Sequence, residues 1–236
     1  MDLFGKALLS FYHGQSDANI KVVRDDGWED AHSPGLYFQQ EPFDFEKPAL
    51  GLLNGPTIDV GCGAGRHLGW LRQQGYEAYG LDNSAGAIEV RRAQGFSDTE
   101  VFDVMSDKTP TVPFAIENIS LFGNNVGIGG TFDGSRALLR NLHGLCREGA
   151  RLVLTGLNIR DTKNAQHIAY QDRNVAAGRR RGELKIRLSY EGEIGPEFAW
   201  FHPEPEEIEE LGSSTGWKIE KLERLGGFFW ASLRCI

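Results

Sequence analysis

Three glycines at alternate positions, Gly61, Gly63 and Gly65, follow the run Thr57-Ile58-Asp59-Val60 and precede an amphipathic stretch from His67 to Leu71. Glycine has no Cβ, so it reaches positive φ and lets a ligand approach the backbone closely. A helix that starts just after such a turn aims unpaired N–H groups at the same spot. The chemistry this spacing supports is the seating of a small molecule at a strand–turn–helix junction. Asp59 sets the charge of that seat, because a carboxylate beside the glycines repels a phosphate and attracts a cation. A second acid, Asp82 in Tyr79-Gly80-Leu81-Asp82-Asn83-Ser84, lies twenty-one residues after Gly61. One helix and one strand fill that interval, so Asp82 falls where a ribose-binding carboxylate is expected. Asp82 or Ser84 also suits the N-cap of the following helix.

Two ligands compete for the seat. The dinucleotide fingerprint G-x-G-x-x-G calls for a third glycine where this chain has Arg66, which disfavours a dehydrogenase using NAD. The pattern is instead D-x-G-x-G-x-G, and S-adenosylmethionine offers an ammonium and a sulfonium with no phosphate. Asp59 to Gly65 resembles motif I of the class I S-adenosylmethionine-dependent methyltransferases. The resemblance implies a cofactor site made of Asp59, Gly61, Cys62, Gly63 and Gly65 at the amino-acid end, Asp82 and Asn83 at the ribose, and Asp103 and Val104 at the adenine. It also implies that the loop after the fourth strand, with Asn124, faces the methyl group, and that S-adenosylhomocysteine is the product.

The same loop bears on the acceptor. Enzymes of this family that methylate amino groups of adenine or glutamine in macromolecules usually carry an Asn-Pro-Pro-Tyr-like or Asp-Pro-Pro-Tyr-like sequence there, whereas this chain has Asn124-Asn125 without prolines. That departure points to a small-molecule acceptor, a specialised metabolite among the candidates, methylated on O, N or C. Tyr37, Asn125, Asn174 and Arg179 are the candidate substrate contacts. His167 and Tyr170, three residues apart and on one face of a helix, are the candidate catalytic pair; a histidine titrates near neutral pH. His202 is a further candidate base. The Arg179-Arg180-Arg181 run reads as a solvated face, a partner for the acidic stretch Glu204 to Glu210, or a clamp for an anionic substrate group. Gln166 to Tyr190 and the Gly123-Asn124-Asn125 run are similar to a group of uncharacterised bacterial members of the family. The alternative function is a catalytically silent domain that binds the cofactor or a partner protein.

Composition sets the outer bounds. The chain has 236 residues, 40% of them hydrophobic, with a net charge of −8, which argues against nucleic acid as a partner. Cys62, Cys146 and Cys235 have no metal-ligand spacing and form no even-numbered disulfide framework, which points to the cytoplasm. No apolar run approaches the roughly 18 residues of a membrane span, and the first residues do not read as a secretory signal.

From residue 50 onward strand and helix patterns alternate, with turn glycines at Gly75 and Gly95 closing two helices. The expected fold is therefore α/β: a Rossmann-like, seven-stranded, mostly parallel sheet with an antiparallel last strand and helices on both faces. Residues 1–49 are expected to be a leader or lid that is turn-rich after a first helix. Residues 50–158 and 203–236 are expected to form the cofactor-binding core, and 159–202 a small β-containing cap inserted after strand five.

Overall fold

In the computed structural model, which describes residues 1–236, helix α1 (Leu3–Tyr12) is followed by strands β1 (Ile20–Arg24) and β2 (Glu29–His32). After the short α2 (Lys47–Leu50) come β3 (Thr57–Val60), α3 (Arg66–Gln73), β4 (Ala78–Asp82), α4 (Ala85–Ala93) and β5 (Thr99–Val101). Then follow β6 (Asn118–Leu121), α5 (Phe132–Leu145) and β7 (Arg151–Leu157). The next segment holds α6 (Ala165–Ala176), β8 (Glu183–Tyr190), β9 (Glu193–Ile194) and β10 (Phe198–Phe201). The chain ends in α7 (Pro205–Ser213), β11 (Trp217–Leu225) and β12 (Phe228–Cys235).

The expected seven-stranded sheet is present, in the order β11-β12-β7-β6-β3-β4-β5. Strands β3 to β7 pair in parallel, and β12 runs antiparallel to both β7 and β11. Alternate residues of each central strand enter opposite cores: Leu152 and Leu154 pack with α5 and α7, while Val153 and Trp230 pack with α2 and α3. Both faces are thus covered, as a parallel sheet requires. The helices start where their caps allow. Ser84 Oγ accepts from Ala87 N at 3.1 Å, and Glu204 with Glu207 forms a capping box around Pro205. Gly226 with Gly227 turns β11 into β12, with Leu225 opposite Phe228.

The leader carries two strands besides its first helix, and the cap, inserted after β7 as expected, pairs with them. Strand β1 pairs with β8, and together they build a second, antiparallel sheet in the order β10-β8-β1-β2, with β9 paired to β8. The leader's β1 and β2 alone would be a hairpin, marginal in water, and they gain a partner in β8, which also pairs with β9 and β10. The first and last thirds of the chain therefore close one roof over the C-terminal ends of the parallel strands.

Helix α1 holds that roof to the core. Asp2 accepts from Gly5 N at 2.8 Å, from Ser84 Oγ at 2.8 Å and from Gly86 N at 3.1 Å, so one carboxylate serves the N-termini of both α1 and α4. The helices meet at glycines: a Cβ on Gly86 would lie 2.6 Å from Gly5 Cα. Gly86→Ala is expected to cost about 1–3 kcal/mol through this overpacking and to expose the leader to protease. Unchanged melting and proteolysis would show that the contact does not hold the leader down.

Candidate active site

One cavity of about 1270 Å³ runs between the strand ends and the roof. Its floor is the glycine turn. Gly61 and Gly63 have φ of +74° and +54°, a conformation that favours glycine. Helix α3 begins at Arg66 without a side-chain cap, which leaves its first amides free for a ligand. Asp82 lies beside the turn. Its Oδ2 accepts from Gly63 N at 2.8 Å and its Oδ1 from Ser84 N at 2.8 Å. Burial nevertheless pushes this carboxyl above its usual range, against the pull of the two amides. Each oxygen keeps a free acceptor site, and the side chain lines the cavity. Cys62, Asn83, Asp103 and Val104 line the same end.

The loop after β6 is joined to the turn. Asn125 Nδ2 donates to Val60 O at 2.8 Å and to Gly61 O at 2.9 Å. Beneath the turn is a polar layer: Ser120 Oγ donates to Asp59 Oδ1 at 2.6 Å, and Glu46 lies 3.0 Å from Arg66 Nη2 and 3.3 Å from His67 Nε2. Burial opposes the Glu46 charge, yet His67 and Arg66 hold its carboxyl below the usual range.

The inner face of the second sheet forms the other end of the cavity. By strand alternation, Ile20, Val22 and Arg24 point in from β1, and Leu184, Ile186 and Leu188 from β8. Phe198 and Trp200 of β10 and Trp28 add aromatic surface. The Arg24 guanidinium grips Asp26 with two bonds of 2.7 Å and lies 4.1 Å over the Tyr170 ring. Its Nη1 is 3.0 Å from His167 Nδ1. Guanidinium only donates, so Nδ1 must accept, and the proton of neutral His167 sits on Nε2.

Several expected residues do not line the cavity. Asp59 is buried behind the turn on Ser120, where burial raises its carboxyl. Gly65 serves packing: a Cβ there would lie 2.9 Å from Arg91 Cδ. Asn124, at φ +64°, donates to Phe201 O at 3.2 Å and ties its loop to β10. Asn174 is fully buried and donates to Arg181 O and Glu183 O, which fixes the roof rather than a ligand. Arg179 lies away from the cavity walls. Its neighbours pair with acids, Arg180 with Glu210 at 2.8 Å and Arg181 with Glu204 at 3.4 Å, so the basic run meets the acidic stretch. His167 and Tyr170 do line the cavity. Burial and Arg24 lower the His167 pKa and burial raises that of Tyr170, whose hydroxyl accepts from Lys185 N at 3.2 Å. Neither is a base in this arrangement. Tyr37 is on the wall, its hydroxyl 3.0 Å from His32 Nε2 and its pKa pushed up to about 12 by burial.

His202 also lines the cavity, with Nδ1 enclosed and unpartnered. Burial pushes its pKa down to about 4 and also lowers that of His32. A histidine lowered on folding takes its proton more readily in the unfolded chain. Its stabilising contribution is complete above a pH of about 6.5 and is lost as pH falls towards the folded value. Unfolding free energy is therefore expected to fall between about pH 6.5 and 4, with His202 contributing at most about 3 kcal/mol of the loss. Urea titrations across this range should show a shallower fall for His202→Asn; an identical fall would contradict the assignment.

Residues 58–154 match a family model described as a methyltransferase domain. No curated protein is significantly similar to the chain. Solved structures of similar fold include an S-adenosylmethionine-dependent methyltransferase from Bacteroides fragilis in complex with S-adenosyl-L-homocysteine. It is 22% identical with a TM-score of 0.82, over 99% of this chain and 94% of that one. The CcbJ methyltransferase from Streptomyces caelestis is 14% identical with a TM-score of 0.62, over 82% of this chain and 90% of that one. CalS10, an amino pentose methyltransferase from Micromonospora echinaspora, is 15% identical with a TM-score of 0.53, over 85% of this chain and 95% of that one.

Proposed function

We propose that this chain, whose residues 58–154 match a family model described as a methyltransferase domain, binds S-adenosylmethionine on the glycine turn and transfers its methyl group to a small molecule under the roof. The observation that carries this reading is the continuity of the cavity. At about 1270 Å³ it exceeds the roughly 300–1,000 Å³ of a pocket for one ligand, and its two ends differ in chemistry. The strand-end side offers open backbone amides and a buried carboxylate with free acceptor sites. The roof side is mostly apolar.

The residues present fit the cofactor. Asp82 would take the ribose hydroxyls, the turn amides and the start of α3 the amino-acid moiety, and Asp103 with Val104 the adenine. Bound there, the cofactor would supply a methyl group activated by its sulfonium for transfer to a nucleophilic atom of the acceptor, with S-adenosylhomocysteine and any proton released by the acceptor as the other products. The protein's part is positioning. Asn125 holds the loop beside the turn, and Phe198 and Trp200 stand on the wall that would confine the acceptor. Incubation with methyl-labelled S-adenosylmethionine and a metabolite extract tests the reading. Label is expected in the small-molecule fraction; label confined to nucleic acid or protein, or none transferred, would contradict it.

A further inference from the structure

Resting on that reading, we infer that the methyl acceptor is an uncharged, flat molecule bearing a hydroxyl or carbonyl, held against the aromatic face of the second sheet and hydrogen-bonded by the His167 Nε2–H. Three observations carry this.

The first is charge. Three cationic side chains line the cavity, Arg24, Arg66 and Arg181, and each is already paired with a carboxylate of the chain. Arg24 is held by both oxygens of Asp26, Arg66 by Glu46, and Arg181 by Asp172 at 3.1 Å and by Glu204. An acceptor carboxylate or phosphate would enter without a free counter-charge from the protein, and a buried anion that the protein leaves unpaired is disfavoured. The carboxylates on the roof side, Asp30 and Asp161, belong to exposed residues at the rim. Screened by water there, they offer little to an ammonium held against the apolar wall.

The second is the state of the imidazoles. His32, His167 and His202 are all held neutral by burial, and His167 also by Arg24. They are hydrogen-bonding groups without charge. Arg24 fixes one of them as a donor, because its own N–H occupies Nδ1.

The third is shape. Trp28 stands edge-on to His167 at 4.5 Å between ring centroids, and Phe198 edge-on to Trp200 at 6.5 Å. The aliphatic side chains of β1 and β8 lie between β2 and β10 in the same sheet. A flat ring gains the most from such a face.

Four titrations test the inference. Protein is first titrated with S-adenosylhomocysteine, then, saturated with it, with 1-naphthol, 1-naphthoate and 1-naphthylmethylammonium, three probes of one shape and different charge. Binding of 1-naphthol at least about tenfold tighter than either ion is expected, with about tenfold loss in Trp200→Leu and a smaller loss in His167→Phe. Circular dichroism checks that both variants fold. Equal or tighter binding of either ion, no binding of 1-naphthol, or 1-naphthol affinity unchanged in both folded variants would overturn the inference. Failure of S-adenosylhomocysteine to bind would instead overturn the cofactor reading on which it rests.

Discussion

Asp82→Ala is expected to weaken S-adenosylhomocysteine binding by about 30- to 150-fold, or roughly 2–3 kcal/mol. The carboxylate does two jobs at once. It accepts from Gly63 N and Ser84 N, each at 2.8 Å, and presents its remaining lone pairs to the cavity. Alanine removes the proposed ribose acceptor and also leaves the Gly63 amide of the turn without a partner. Asp82→Asn keeps the volume but must oppose one amide donor with its own NH2, so an intermediate loss is expected. Calorimetric titration of the three proteins, with melting temperatures as a control on folding, checks this. An alanine variant that binds as tightly as the parent would remove Asp82 from the site.

The second large effect is expected at Asn125. Its amide nitrogen donates to two carbonyls, Val60 O and Gly61 O, so the loop after β6 and the glycine turn are held as one piece. Asn125→Asp has nearly the same shape but turns an oxygen towards those carbonyls, and a partly buried carboxylate against two acceptors is repelled or must take up a proton. A loss of about 2–4 kcal/mol of stability and loss of cofactor affinity are expected, with Asn125→Ala milder because it only deletes the tie. Denaturant unfolding of both variants decides it; an aspartate variant no less stable than the alanine one would contradict the tie.

Asn125 also shows what was legible in the sequence. Its loop could be identified as important from position and composition, but whether an asparagine faces a ligand or a carbonyl depends on rotamer and neighbours that spacing does not encode. Asn124 and Asn174 illustrate the same limit: both are polar residues near a site whose hydrogen bonds go to backbone. The parallel sheet was readable because each of its strands and helices carries its own local pattern, closed by glycines such as Gly75 and Gly95, both at positive φ. The roof was not, because β1 is five residues long and its partner β8 lies far along the chain. The stretch from Leu184 to Tyr190 alternates like an exposed strand, yet nothing local shows that Ile20 and Val22 lie beside it or that Leu184, Ile186 and Leu188 face a cavity. Arg24, which sets the His167 tautomer, was missed for the same reason. The residues of the glycine turn divide: Gly61 and Gly63 line the cavity, while Asp59 and Gly65 support the turn from behind.

The most direct test of the account is calorimetric titration of the intact chain with S-adenosylhomocysteine and, separately, with NAD. One-to-one binding of S-adenosylhomocysteine and no heat from NAD is the predicted result. Binding of NAD with no response to S-adenosylhomocysteine would contradict the account at its foundation.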